Sequence, residues 1–178
     1  DVIMDKDEMR YLITDQGRVE ADAFVICAGL QSVELCERLG KNLPLAPMAG
    51  YSLSLPMGKA VPDLAITDTE NKAVVTRLGD RIRYAGYADF VPQQRGISAK
   101  RLNTFKARLF ERFPLVAEDS GDLSPWMGFR PLTPDSQPVI GRLTQKNGYI
   151  NTGHGMFGWA LSAGSADRVA RQIMAEVR

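Results

Sequence analysis

The segment that most restricts the possible folds is Gly153-His154-Gly155-Met156-Phe157-Gly158, a G-x-G-x-x-G sequence near the end of the 178-residue chain. Residues 149–152 before it are typical of a β-strand, and residues 157–177 after it are typical of a helix. A dinucleotide-binding unit needs a second parallel strand after that helix, ending in an acidic residue. Too little sequence follows for such a strand, so we expect these glycines to hold something other than the ADP half of a cofactor.

The overall composition excludes several classes of protein. The chain has 22 basic and 21 acidic residues, a net charge of +1, so it lacks the broad positive charge of a nucleic-acid or anionic-membrane binder. Its 44% hydrophobic content is enough for a buried core. Cys27, Cys36 and a single histidine indicate neither a zinc site nor a disulfide framework. Since no long apolar segment or signal-like start is present, we expect a soluble protein in a reducing compartment, the cytoplasm.

The first part of the chain predicts an α/β layer. Residues 9–14 and 19–21 flank a glycine-containing turn and predict a β-hairpin. Residues 23–28 are continuously apolar, which predicts a strand that is covered on both faces. A short helix over residues 32–39 should follow, and Gly40 is well placed to end it.

The middle of the chain predicts an antiparallel sheet with one helix. Residues 48–55, 72–78 and 81–87 are β-rich, and Gly79 and Asp80 form a turn between the last two runs. Ser98 is a suitable N-cap for the helix, which Pro114 should end. The apolar residues of this helix recur at helical spacing: Leu102, Phe105, Leu109 and Phe113.

The end of the chain returns to an α/β pattern with a terminal helix. Its predicted buried stripe consists of Ala163, Ala166, Val169, Ala170, Ile173 and Val177. The predicted fold class is therefore α/β (α+β), in which α/β segments at residues 1–42 and 126–178 flank an antiparallel-sheet domain at 43–125.

A second notable segment, residues 126–141, contains three prolines and two glycines that fix an irregular path. Arg130 lies there among apolar and rigid neighbours, where its guanidinium requires an anion, and a carboxylate is the best geometric match. That carboxylate could belong to a substrate, or to an acidic side chain in a structural salt bridge; the local sequence leaves both open. Asp135 after Pro134 is typical of a turn residue.

Residues 129–141 and 151–159 together resemble the C-terminal half of the FAD-dependent D-amino-acid oxidase/dehydrogenase (DAO) family, and most closely its bacterial D-amino-acid dehydrogenases. The resemblance extends to residues 21–29, similar to the family strand that leads to an Ala-Gly turn near the flavin. It also includes residues 50–53, similar to the first strand of the family's substrate domain. These segments occur in the family's order over most of the chain.

The resemblance implies FAD as cofactor and a small, D-configured amino acid as substrate. Arg130 would pair with the substrate carboxylate, and Tyr51 and His154 would be further substrate-binding residues. No side chain is implied as a certain catalyst, and no metal is implied. The implied cofactor-binding residues are Ala28, Gly29, Gly153, Gly155, Met156, Phe157, Gly158 and Trp159.

The implied reaction transfers a hydride from the substrate Cα to flavin N5 and yields a 2-oxo acid and ammonia. A glycine-rich helix start beside the flavin is physically reasonable, since its amides and dipole stabilise the negative charge of a reduced ring. Oxygen, a quinone and an electron-transfer protein all remain open as electron acceptors. The dehydrogenase resemblance also leaves open a peripheral position at the inner membrane.

The sequence departs from the family in one respect, because it lacks the N-terminal fingerprint that holds the ADP moiety. We therefore expect the chain to be a fragment of a longer two-domain flavoprotein, with its missing N-terminal portion, or a partner chain, supplying that motif. One alternative is a non-catalytic carboxylate-binding or interaction module that completes a flavin site with another chain. A third, weaker interpretation is a nicotinamide-dependent enzyme in which residues 153–158 bind the dinucleotide.

Overall fold

The computed structural model describes residues 1–92 and 96–176, which form two compact units. Unit 1 comprises Asp1–Pro47 and Arg130–Arg178, and unit 2 comprises Met48–Phe129. The strands are β1 (Val2–Asp5), β2 (Glu8–Thr14), β3 (Gly17–Glu20), β4 (Phe24–Ile26), β5 (Ala46–Pro56), β6 (Ile66–Asp68), β7 (Ala73–Leu78), β8 (Arg81–Asp89), β9 (Ser124–Leu132), β10 (Val139–Arg142) and β11 (Gly148–Thr152). The α-helices are α1 (Ser32–Arg38), α2 (Ala99–Arg112) and α3 (Gly158–Glu176).

Unit 1 contains two small sheets. β1, β2 and β3 form an antiparallel meander, so the predicted hairpin is confirmed and one further strand precedes it. The second sheet has the order β10-β11-β4, in which β11 runs antiparallel to β10 and parallel to β4. The parallel partner of β11 thus comes from early in the chain rather than from after the terminal helix.

The strand predicted at residues 23–28 is shorter than expected and is not covered on both faces. Phe24 and Ile26 are buried, but Val25 between them is 40% exposed. Because side chains alternate between the two faces of a sheet, this pattern means that β4 is covered on one face and open on the other. The short helix that follows agrees with the prediction, and Gly40 ends it with a φ of +75°.

Unit 2 is built on the sheet order β6-β7-β8-β5-β9. The pairs β6·β7, β7·β8 and β5·β8 are antiparallel, as the β-rich pattern predicts. The Ser98 side chain accepts a hydrogen bond from the Arg101 amide (3.2 Å) and so caps α2. Phe105 and Leu109 of this helix are fully buried against the sheet, which confirms its predicted apolar face.

The buried face of α3 differs from the predicted stripe. Of the predicted stripe, Val169 is buried and Ile173 is half-buried, as expected, but Ala163, Ala166 and Ala170 are exposed. Ser165, which was not predicted, is buried, and Val177 lies outside the described residues. The helix contacts β10 and β11. Alanine, serine and glycine occupy about half of the positions of α3, on all sides of the helix, so hydrophobicity alone does not select one face. The Ser165 hydroxyl donates to the Leu161 carbonyl (2.9 Å), which allows a polar residue to occupy the buried face.

The described residues contain neither a membrane-spanning helix nor a cluster of metal-ligating side chains. No helix of residues 1–92 or 96–176 is long and apolar enough to cross a membrane. Within the same ranges, no group of three or more His, Cys, Asp or Glu side chains is arranged to hold a metal ion.

Candidate functional site

Two glycine turns of unit 1 lie at the same edge of the β10-β11-β4 sheet. β4 leads through Ala28 into Gly29, which has a φ of +58°. β11 leads directly into Gly153, which has a φ of +80°. Because β4 and β11 are parallel neighbours, their carboxyl ends point the same way, and this edge is where α/β sheets bind ligands. Each turn continues into a short 3-10 segment and then an α-helix.

Thr152 joins these two turns. Its hydroxyl donates to the Gly29 carbonyl (3.1 Å) and accepts from the Ser32 hydroxyl (3.4 Å). Both side chains are buried, with Thr152 2% and Ser32 0% exposed. Sequence reasoning missed both residues. The available signal for Thr152 was a hydroxyl residue at the end of β11, directly before the glycine turn, where a buried donor must find a partner.

Position 153 requires glycine for two reasons, its backbone conformation and the atoms packed against it. A φ of +80° is unfavourable for any residue with a side chain. A Cβ atom at this position would also lie 2.9 Å from Thr133 Cγ2 and 3.1 Å from Leu45 Cδ2. Close packing therefore fixes the path of the backbone as it leaves β11.

The loop before β10 places Thr133 against Gly153. The Thr133 hydroxyl donates to the Gln137 carbonyl (2.9 Å), and the Thr133 carbonyl accepts from the Ser136 amide (3.2 Å). Asp135 Oδ1 accepts from the Gln137 amide (3.1 Å), which agrees with its interpretation as a turn residue.

His154 lies between the turn and the start of α3. Its carbonyl accepts from the Phe157 amide (3.1 Å), which closes the 3-10 segment. Its Nε2 atom is buried and has no hydrogen-bond partner among the described residues. Burial lowers the pKa of the imidazole below its usual 6.5, so the ring is neutral at physiological pH. A buried polar atom without a partner at this edge is suited to a hydrogen bond from a bound ligand.

We expect the pKa of His154 to make unit 1 less stable as the pH falls. The imidazole pKa is lower in the folded than in the unfolded chain, so its contribution is fully present above about 6.5 and is lost between that value and the lowered pKa. Because the chain has a single histidine, one imidazole resonance in an NMR pH titration reports this pKa directly. Urea unfolding should show a steeper loss below pH 6.5 for the parent than for His154→Gln. A measured pKa at or above 6.5 would contradict the prediction.

The start of α3 presents large apolar side chains to solvent. Met156 is 61%, Phe157 58% and Trp159 94% exposed. Adjacent exposed residues of this size are unusual on a soluble domain unless they contact a ligand or another polypeptide segment. The predicted cofactor-binding residues thus fall into two groups, the buried or half-buried residues of the glycine turns and this apolar surface.

Arg130 lies on β9 and is half-buried. Burial lowers the pKa of its guanidinium, which nevertheless stays charged at neutral pH. Leu132, two positions further on, forms an isolated bridge with His154, and its Cδ1 lies 3.1 Å from where a Cβ of Gly155 would be. Residues two apart on a strand share a face, so Arg130 is on the side of β9 that faces the glycine turn.

Tyr51 belongs to unit 2 and is only 7% exposed. Burial, followed by a hydrogen bond to Asp89, raises the pKa of its hydroxyl. Asp89 also accepts from Arg101 Nε (2.8 Å), whose guanidinium lies 4.4 Å from the centre of the Tyr87 ring. Tyr87 has a φ of +64° in β8, a strained conformation for an aromatic residue. Sequence reasoning predicted Tyr51 but missed the charged pair that holds its hydroxyl.

The chain matches one protein family over most of its length. The family model described as FAD dependent oxidoreductase (DAO) matches residues 3–172. The chain belongs to this family. The resemblance seen in residues 129–141 and 151–159 is therefore confirmed, while the roles of individual residues remain predictions.

The relatives of the chain are considerably longer than the chain itself. It is 37% identical over 171 residues to a D-amino acid dehydrogenase from Rhizobium rhizogenes, covering 93% of this chain and 40% of that protein. It is 38% identical over 174 residues to a D-amino acid dehydrogenase from Paramagnetospirillum magneticum, covering 95% of this chain and 40% of that protein. The chain thus spans less than half the length of these relatives.

A solved structure has the same fold. The crystal structure of glycine oxidase from Bacillus cereus superposes with a TM-score of 0.80 at 21% identity, covering 99% of this chain and 49% of that one. The predicted fold class, α/β segments that flank an antiparallel sheet, is confirmed.

Proposed function

We propose that this chain supplies the substrate-facing and ring-facing part of an FAD-dependent oxidoreductase that oxidises the Cα–N bond of a small D-amino acid. The products would be a 2-oxo acid and ammonia, formed when water hydrolyses the imine. The D-amino acid dehydrogenases among the relatives motivate the choice of substrate. The observation that carries the proposal is the pair of glycine turns joined by Thr152, with Arg130 on the adjacent face of β9.

The residues at this edge suit a flavin. Gly29 and Gly153 bring backbone close to the sheet edge without a side chain in the way. The neighbouring helix α3 begins at Gly158, and helix N-termini stabilise negative charge. His154 Nε2 offers one buried hydrogen-bonding atom, and the exposed Met156 and Phe157 offer apolar surface for a ring system. A bound flavin would supply the electron-accepting chemistry that no side chain here can supply.

The chain's own residues would orient the substrate and stabilise charge. Arg130 would bind the substrate carboxylate through two parallel hydrogen bonds, which fixes the direction of the Cα–H bond. The amides of the turn at Gly153 and Gly155 would stabilise negative charge that develops beside them. His154, neutral because of its burial, would accept or donate one hydrogen bond to position the reactants rather than remove a proton.

We further propose that the units divide these tasks. Unit 1, which contains the sequence segments 1–42 and most of 126–178, would hold the flavin. Unit 2, which contains most of 43–125, would form the substrate domain, with Tyr51 as a residue that lines the substrate pocket through its aromatic ring. The hydroxyl of Tyr51 would act less directly, because Asp89 already binds it.

The proposal can be tested by complementation. This chain would be coexpressed with the part of the Rhizobium rhizogenes relative that lies outside the match, and the assembly would be purified. We expect a yellow protein whose visible flavin absorbance is bleached by D-alanine without oxygen and much less by D-alanine amide. A colourless assembly, or a yellow one that D-amino acids do not bleach, would contradict the proposal. Bleaching followed by reoxidation with oxygen or a soluble quinone would identify the electron acceptor.

A second candidate function is a carboxylate-binding or interaction module that completes a flavin site without catalysing a reaction of its own. The match covers 40% of each relative, so this chain contains only part of the sequence of those dehydrogenases. A yellow assembly that binds D-alanine, seen as a shift of the flavin spectrum, but is not reduced would favour this alternative.

A further inference from the structure

Strand β9 has two faces, and only one of them belongs to the core of unit 2. Met127 and Phe129 pack against the buried core of that unit. Because successive side chains on a strand point to opposite faces, Trp126 and Gly128 lie on the other side of β9. The same alternation places Arg130 on the face that carries Trp126 and Gly128.

The indole of Trp126 lies along this second face instead of pointing straight away from it. A Cβ atom built on Gly128 would collide with Cη2 of Trp126 and lie 2.5 Å from its Cζ2. The six-membered ring therefore fills the volume that a side chain at position 128 would occupy, and it extends along the strand toward Arg130. The outer surface of the ring remains open, since Trp126 is 57% exposed.

The pair of Trp126 and Gly128 contributes little to the packing of unit 2. An indole that lies flat on a strand buries one of its two surfaces, whereas Met127 and Phe129 pack against the core. Glycine also weakens the interior of a strand, where it often marks the close approach of another group. A strand that contains an unfavourable glycine and leaves a large aromatic ring accessible has the features of a ligand-binding surface.

The neighbourhood of Arg130 restricts which ligand group the ring can contact. In the proposed function, Arg130 binds the carboxylate of the substrate, and the Cα of the substrate carries an amino group and a side chain. The amino group must be neutral when hydride leaves Cα, so attraction between a cation and the indole would not assist the reaction. An apolar side chain suits the indole better, because their contact removes both surfaces from water.

We propose that Trp126, held flat over Gly128, is a specificity-determining residue that forms an apolar wall for the side chain of the amino-acid substrate. The inference deepens the proposed function and rests on it for the role of Arg130. It assigns a preference for apolar over polar side chains of the same size. It also gives Gly128 a role, since the absence of a side chain there allows the ring to lie on the strand.

The assembly described above provides the first test, with D-leucine and D-asparagine as substrates. Their side chains are similar in size and shape but differ in polarity. Trp126→Ala should lower the ratio of kcat/KM for D-leucine to that for D-asparagine by about tenfold, because the lost contact is apolar. Trp126→Phe should retain most of this ratio. A purely structural role of Trp126 would lower both values together and leave the ratio unchanged.

Phe90→Ala is the matched control for Trp126→Ala. Phe90 is another exposed aromatic residue of unit 2, 69% accessible, but it lies outside β9. Its replacement should leave the ratio of the two substrates unchanged.

A second test uses the chain alone and needs no flavin. The chain has two tryptophans, so Trp159→Phe leaves Trp126 as the only one. In that background, Gly128→Ala should increase the quenching of Trp126 fluorescence by acrylamide, because the new methyl group lifts the ring from the strand. Gly164→Ala should leave the quenching unchanged, since no atom lies within 4 Å of a Cβ at that position.

Three outcomes would overturn the proposal. An unchanged substrate ratio in Trp126→Ala would show that the ring contacts no substrate side chain, and an equal effect of Phe90→Ala would show that the change is not local. Unchanged quenching in Gly128→Ala would show that the ring does not lie over Gly128. Any of these results in an assembly that amino acids reduce would leave the proposed function intact, whereas an assembly that no amino acid reduces would overturn both.

Discussion

Replacing Arg130 with leucine in the flavin-loaded assembly is expected to raise KM strongly for D-amino acids and far less for their uncharged amides. The half-buried guanidinium is poorly hydrated, so a carboxylate bound to it forms a charge-assisted, partly desolvated pair. Truncation of one partner of such a pair costs about 2–5 kcal/mol. This corresponds to about 30-fold to several thousand-fold in kcat/KM for the amino acid.

Steady-state kinetics with D-alanine and D-alanine amide would measure this effect. Arg130→Lys should recover only part of the loss, because an ammonium cannot form the two parallel hydrogen bonds of a guanidinium. Arg171→Leu is a suitable control, since Arg171 is also in unit 1 but is exposed and pairs with Asp167 on α3. Equal losses for the acid and the amide would show that Arg130 acts in a structural salt bridge, the alternative that the local sequence left open.

Replacing Gly153 with alanine is expected to destabilise unit 1 by about 2–5 kcal/mol and to abolish flavin retention. Part of the cost, about 1–2 kcal/mol, comes from placing a Cβ on a backbone with a φ of +80°. The remainder, about 1–3 kcal/mol, comes from overpacking, because the new atom lies 2.9 Å from Thr133 Cγ2. The measurement is the urea midpoint of unfolding, combined with the flavin content of the purified assembly.

Gly164→Ala is the matched control for this prediction. Gly164 lies inside α3, and no atom lies within 4 Å of a Cβ built there. Alanine at this position should therefore stabilise the helix by about 0.5–1 kcal/mol, an effect of the opposite sign. In the Gly153→Ala background, Thr133→Ser removes Cγ2 but retains the hydroxyl that donates to Gln137, so it should restore part of the lost stability. No rescue would mean that the backbone conformation, rather than the collision, dominates the cost.

Patterns of local sequence predicted most elements of the fold. The hairpin at β2 and β3, the capped helix α2 and the strand before Gly153 were all visible, because hydrophobic period, turn glycines and the Ser98 cap are local signals. The buried face of α3 was predictable only in part. Val169 is buried as predicted, but the alanines and glycines of this helix give no distinct apolar stripe, and packing against β10 and β11 buries Ser165 rather than the predicted alanines.

The candidate site was likewise predictable from the sequence only in part. The sequence by itself determined that the chain carries a rigid arginine segment and a glycine-rich helix start in an order that resembles the DAO family, since residue types and spacing are sufficient for that. Only the tertiary structure decided that β4 is the parallel neighbour of β11, and hence that Gly29 and Gly153 lie at one sheet edge. It also decided that Thr152 joins these turns and that Asp89 holds the hydroxyl of Tyr51. Those contacts join residues far apart in the chain, and strand pairing and side-chain burial, which create them, are set by the whole fold rather than by neighbouring residues.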